Sequence, residues 1–113
     1  MLSTGIDIVK NSRFDNISDR LRDHLFTDYE IENSNGKSEY YASRFASKEA
    51  FVKALGTGFI KNIKPKCIEV RKNSNNQPYL VLTKDILDMI GSREVSLSIS
   101  HEKEYSVAMV VIS

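Results

Sequence analysis

The chain has 113 residues, 41% of them hydrophobic, and its 16 Lys and Arg nearly cancel its 15 Asp and Glu. That length fits one domain, residues 1–113, with a core thin enough that association with further copies is an ordinary way to bury more surface. The balanced charge excludes a general nucleic-acid binder, which carries a basic excess or stripe. No apolar run nears the roughly 20 residues that span a bilayer, and no basic-then-apolar leader opens the chain, so a cytoplasmic protein is expected. One cysteine, Cys67, excludes an intrachain disulfide. Its place in an alternating segment marks it as a packing residue.

Residues 2–9 read as a strand, with Thr4, Ile6 and Ile8 on one face and Gly5, Asp7 and Val9 on the other. Phe14, Ile17, Leu21 and Leu25 recur at helical spacing over 11–26, as one helix or two short ones broken near Ser18. Thr27 and Glu30 form a capping box opening a short helix that should end near Ser34-Asn35-Gly36. Residues 38–55 give the strongest helix pattern, stopped by Gly56. The second half of that helix is apolar nearly all round, as in a central buried helix, with Glu49 and Lys53 forming one narrow polar stripe at i, i+4. Residues 67–72 and 78–82 read as a hairpin around a turn at 73–77, followed by a short helix over 84–90 stopped by Gly91. Residues 94–100 alternate with Val95, Leu97 and Ile99 inward, and a polar turn from His101 to Glu104 leads into a last strand beginning at Tyr105. The expected fold class is α+β: a mostly antiparallel sheet packed on one long helix with short flanking helices.

Three polar features stand where a core would not choose them. Asp7 lies inside an apolar strand, Glu49 and Lys53 lie inside an apolar helix, and His101 ends a strand. Each alone has a plain explanation: a cap or turn, a helical ion pair, an exposed turn residue. Arg44 and Lys48, one helical turn apart, read alone as a solvated face. Together they describe a site, because a buried carboxylate needs a partner or a metal. Two carboxylates suffice for Mg²⁺, which keeps waters and takes its other oxygens from substrate phosphates. Arg and Lys nearby would neutralise phosphate charge. The chain has no zinc spacing of Cys and His, no dinucleotide fingerprint and no Walker A loop. Composition and spacing stop at a carboxylate–magnesium–phosphate site with no reaction attached.

The strings GIDIV at 5–9, RFASKEAFVKALGTG at 44–58 and SLSISHEKEYSVAMVV at 96–111 resemble, in order and spacing, the three signature regions of the holo-acyl-carrier-protein synthases. These are the small bacterial class of 4′-phosphopantetheinyl transferases, and the likeness extends over the whole chain, including the NNQPY turn at 75–79. The resemblance implies transfer of the 4′-phosphopantetheine arm of coenzyme A to a serine of apo-acyl carrier protein in fatty acid biosynthesis, releasing adenosine 3′,5′-bisphosphate. It implies Asp7 and Glu49 as Mg²⁺ ligands, and Arg44, Lys48 and Lys53 around the coenzyme A phosphates. Gly56, Thr57 and Gly58 then form the loop beside the cofactor, with Pro78 near the adenine and His101 beside the pyrophosphate. Arg13 would dock the carrier protein, and Glu49, Lys53 and His101 would carry the chemistry, with Glu49 taking the serine proton directly or through a water. It further implies a homotrimer with coenzyme A in clefts between subunits. The chain departs from the family pattern at Lys10-Asn11-Ser12, where an acidic residue is usual, and in a shortened stretch before Arg44. Two other readings compete: a metal-dependent phosphohydrolase using Asp7, Glu49 and His101, and a non-catalytic module that binds a protein partner through its basic helix.

Overall fold

The computed structural model describes residues 1–113. Strand β1 (Ser3–Lys10) runs into a 3₁₀ turn at Asn11–Phe14, followed by helices α1 (Asp19–Leu25), α2 (Asp28–Ser34) and α3 (Ser38–Leu55). A second 3₁₀ turn, Pro65–Cys67, leads to strands β2 (Ile68–Lys72) and β3 (Pro78–Leu82), then helix α4 (Lys84–Ile90) and strands β4 (Val95–His101) and β5 (Tyr105–Ile112). The α+β class holds. The single sheet expected from the sequence is instead two antiparallel sheets, one in the order β1-β5-β4 and one of β2 with β3. α4 intervenes between β3 and β4, so the hairpin lies beside β4 without joining its ladder.

Local chemistry sets the boundaries. Ser18 accepts from the Leu21 amide at 3.1 Å and caps α1, so the segment over 11–26 is two short helical pieces. Both halves of the Thr27–Glu30 capping box are made, at 3.3 and 3.0 Å. Gly56 closes α3 at φ +85°, in the left-handed region that disfavours a Cβ. Cys67 is half-buried and packs against the core, but it belongs to the turn before β2 rather than to the strand.

α3 lies across the inner face of the three-stranded sheet, and Phe51, Val52, Ile68, Val70, Val110 and Ile112 fill the core between the layers. Contact with β1 is closest at Gly5, where an added Cβ would collide with the Ala50 carbonyl oxygen and come within 2.6 Å of the Ala54 amide nitrogen. No side chain replaces Gly5 without pushing β1 off α3. This close approach brings Asp7, two residues further along the same strand face, beside the polar stripe of α3.

Candidate active site

The structure gathers Asp7, Glu49, Lys53 and Arg13 at one edge of α3. Lys53 Nζ donates to Asp7 Oδ1 at 3.1 Å and to the Ile6 carbonyl at 3.0 Å, which leaves its third N–H open. Only 17% of the Asp7 side chain is exposed. Burial pushes the Glu49 carboxyl above its usual range, the Asp7 charge adds to this, and Lys53 and Arg13 oppose it. Arg13 lies over Phe45, 4.9 Å from the ring centroid. Asp7 and Glu49, both partly buried, are a good pair of hard oxygen ligands for Mg²⁺. No group of three His, Cys, Asp or Glu converges anywhere in the chain, so nothing here fits zinc.

A second polar region lies on the other flank of α3, a cleft of about 500 Å³. Lys37, Arg44 and Lys72 give it positive charge, Tyr40 and Pro78 give it flat surface, and His101 and Glu39 pair across it at 3.1 Å. Arg44 is only 9% exposed, its guanidinium 3.8 Å from the Tyr40 ring centroid. Its Nη1 donates to Ser43 Oγ at 2.9 Å, while its buried Nε has no partner. An unpaired guanidinium N–H in a basic cleft marks a place for an anion. Burial pushes the Tyr40 hydroxyl above its usual range, with Arg44 opposing.

These two regions are distinct within one chain. Five residues from Arg44 to Glu49 turn the helix by about 140° and advance it about 7.5 Å. Asp7 pairs with Ala108 and Ala108 with Ile99, two residues before His101. His101 is therefore about 10 Å across the sheet from Asp7 and about 7 Å along it. Neither the phosphohydrolase constellation of Asp7, Glu49 and His101 nor the transferase trio of Glu49, Lys53 and His101 is assembled within one chain. Gly56, Thr57 and Gly58 form the exposed turn that ends α3, with all three amides bonded back to the Val52 carbonyl at 3.0–3.4 Å.

Lys48 corrects the sequence reading. Its side chain is 0% exposed, and its three N–H groups go to Glu30 Oε1 at 2.7 Å and to the Leu25 and Pro65 carbonyls, each at 2.9 Å. Nothing remains for a phosphate, so Lys48 is a packing cation. Burial pulls its ammonium below the usual range and Glu30 opposes this. Glu30 also accepts from the Thr27 and Val70 amides at 3.0 and 2.9 Å. The sequence reading missed Glu30 as an ion-pair partner, because the capping box already accounted for it. It also missed Lys37, Glu39, Tyr40 and Lys72. For Glu39 and Tyr40 a signal existed: they lie on the helix that carries Arg44, within about one and a half turns of it.

The α+β fold, the carboxylates Asp7 and Glu49 at one edge of α3 and the basic cleft on its other flank describe a domain able to bind phosphate groups. The chain belongs to the 4′-phosphopantetheinyl transferase superfamily, whose family model matches residues 3–110. It is 43% identical to a holo-[acyl-carrier-protein] synthase of Halothermothrix orenii over 95% of this chain and 93% of the relative. Among solved structures it resembles the holo-[acyl-carrier-protein] synthase of Helicobacter pylori in complex with coenzyme A, at TM-score 0.86 and 33% identity over 97% of this chain and 99% of that one. It also resembles a Bacillus anthracis holo-(acyl-carrier-protein) synthase in complex with CoA (3′,5′-ADP), at TM-score 0.83 and 36% identity over 97% and 94%.

Proposed function

We propose that this protein transfers the 4′-phosphopantetheine arm of coenzyme A to a serine hydroxyl of apo-acyl carrier protein, as a Mg²⁺-dependent holo-acyl-carrier-protein synthase serving fatty acid biosynthesis in the cytoplasm. The observation that carries this reading is the convergence of Asp7, Glu49 and Lys53, two carboxylates and one ammonium with an open N–H, in a member of this superfamily. Asp7 and Glu49 would hold Mg²⁺, which supplies charge neutralisation at the pyrophosphate when bound. Lys53 offers its remaining N–H to a phosphate oxygen. The serine oxygen bonds to the β-phosphorus, the bond from that phosphorus to the bridging oxygen breaks, and the electron pair leaves on adenosine 3′,5′-bisphosphate. Glu49 takes the serine proton directly or through a water. Transfer of this kind rests mainly on positioning and charge neutralisation. Arg44, Pro78 and His101 receive the nucleotide end in the basic cleft, the Gly56–Gly58 turn flanks the pantetheine arm, and Arg13 meets an acidic face of the carrier.

The two regions belong to one site shared between copies in a homotrimer. Asp7 and Lys53 adjoin Ile6 and Ile8, which are 60% and 62% exposed on the outer face of β1, with Met109 of β5 beside Ile6. A neighbour covering this apolar face would bring its own basic cleft toward the carboxylate pair. Sedimentation at micromolar concentration should give the mass of three chains. A fully active monomer would rule out the shared site.

The direct test is the intact mass of purified apo-acyl carrier protein after incubation with this protein, coenzyme A and Mg²⁺. A gain of one phosphopantetheine, lost with EDTA, is expected. No gain with several carriers from a folded preparation would overturn the reading.

A further inference from the structure

We infer that Glu39 is the positioning residue for His101: its carboxylate holds the imidazole by Nδ1, so that the other ring nitrogen serves the anion in the basic cleft. This rests on the assignment of the cleft to the nucleotide end of coenzyme A. His101 stands at the end of β4, where its backbone is already fixed. It pairs with Ser106, whose hydroxyl donates to the buried Asn11 Oδ1 at 2.7 Å. The turn that follows is closed by Glu102 Oε1, which accepts from the Glu104 and Tyr105 amides at 3.0 and 2.8 Å. The freedom left is that of the imidazole ring, half exposed at the mouth of the cleft. Nδ1 lies 3.1 Å from Glu39 Oε1, an ion-pair distance that sets the end of β4 against the first turn of α3 and turns Nε2 away from the carboxylate.

An acid here needs a reason. The other charged groups lining the cleft, Lys37, Arg44 and Lys72, are all cations, and Arg44 Nε is buried without a partner. A lone carboxylate among them would repel an incoming phosphate and compete for the same cations. One paired with His101 is held away from those cations, and it converts a mobile ring into an oriented donor or acceptor before the ligand arrives. Glu39 also sits where a helix N-terminus favours an acid. That ordinary role would stabilise α3 without any dependence on His101, and this difference separates the two.

The test is calorimetric titration of adenosine 3′,5′-bisphosphate, with Mg²⁺ present, into the full-length wild type and the variants Glu39→Ala, Glu39→Gln, His101→Ala and Glu39→Ala/His101→Ala. Losing the bond that orients the ring should weaken binding roughly fivefold to tenfold in Glu39→Ala. Glu39→Gln should stay within about twofold, because its amide oxygen still accepts from Nδ1. The double variant should bind no more weakly than His101→Ala alone. In turnover, Glu39→Ala should raise KM for coenzyme A and leave kcat nearly unchanged. Equal or tighter binding by Glu39→Ala, or losses that add in the double variant, would overturn the positioning role while leaving the cleft assignment intact. No binding by the wild type would remove the cleft assignment and this inference with it.

Discussion

Lys48→Met should lower stability by roughly 3–5 kcal/mol, which for a chain of this size moves Tm down by roughly 10–25 °C. Removing the ammonium leaves the Glu30 carboxylate, 0% exposed, without its counter-charge, and leaves the Leu25 and Pro65 carbonyls without a donor. The side chain joins the end of α1, the start of α2 and the turn before β2 to the middle of α3, so the loss is shared by four segments. Combining it with Glu30→Gln should recover part of the loss, since the uncompensated charge is gone while one of the Thr27 and Val70 amides keeps an oxygen acceptor. Lys53→Met, five residues along the same helix, removes a half-exposed ion pair worth at most about 1 kcal/mol. It should melt near wild type and yet lose transfer activity. Thermal melts by circular dichroism, run beside the carrier-protein mass assay, separate these two lysines. A Lys48→Met variant that melts with the wild type would mean that Glu30 finds another partner.

That contrast also marks where the sequence was readable. Strand and helix periods, the Thr27–Glu30 box and the Gly56 and Gly91 stops each depend on neighbours within a few residues, and the structure keeps them. The partition into two sheets depends on how β3 lies against β4, which no local pattern encodes. Within the site, Asp7, Glu49 and Lys53 were legible because a polar residue on an apolar strand or helix needs a purpose. Lys48 obeyed the same rule, but its purpose is an acid 18 residues earlier, and spacing alone did not distinguish a lysine facing substrate from one facing the core. The cleft was the least legible part. Lys37, Lys72 and Glu39 are ordinary surface charges in one dimension, and only the return of β2 and β4 beside the start of α3 makes them neighbours.

Glu49→Gln should reduce kcat by roughly 10²–10⁴-fold and, at neutral pH without metal, raise Tm. Both follow from one environment. Burial and the Asp7 charge hold the Glu49 carboxyl above its ordinary value of 4.5, so the folded chain binds a proton there that the unfolded chain has released. Stability contributed by this group therefore falls as pH rises from the unfolded carboxylate value through the raised folded one, and the penalty is complete above both. Glutamine keeps the shape without the charge, so the variant should lose this part of the pH dependence and melt higher than wild type at pH 7. Adding Mg²⁺ should reverse the order. At 100 times its Kd a bound ligand stabilises the wild type by about 2.7 kcal/mol, whereas the variant, short of one carboxylate ligand, should gain little. Melting curves of both proteins at pH 4.5, 6 and 8, with and without Mg²⁺, read out both halves, and near-normal turnover by Glu49→Gln at saturating Mg²⁺ would remove Glu49 as the base. Both halves turn on the burial of Glu49 and its repulsion by the Asp7 charge, which make the metal-free chain less stable than its amide variant.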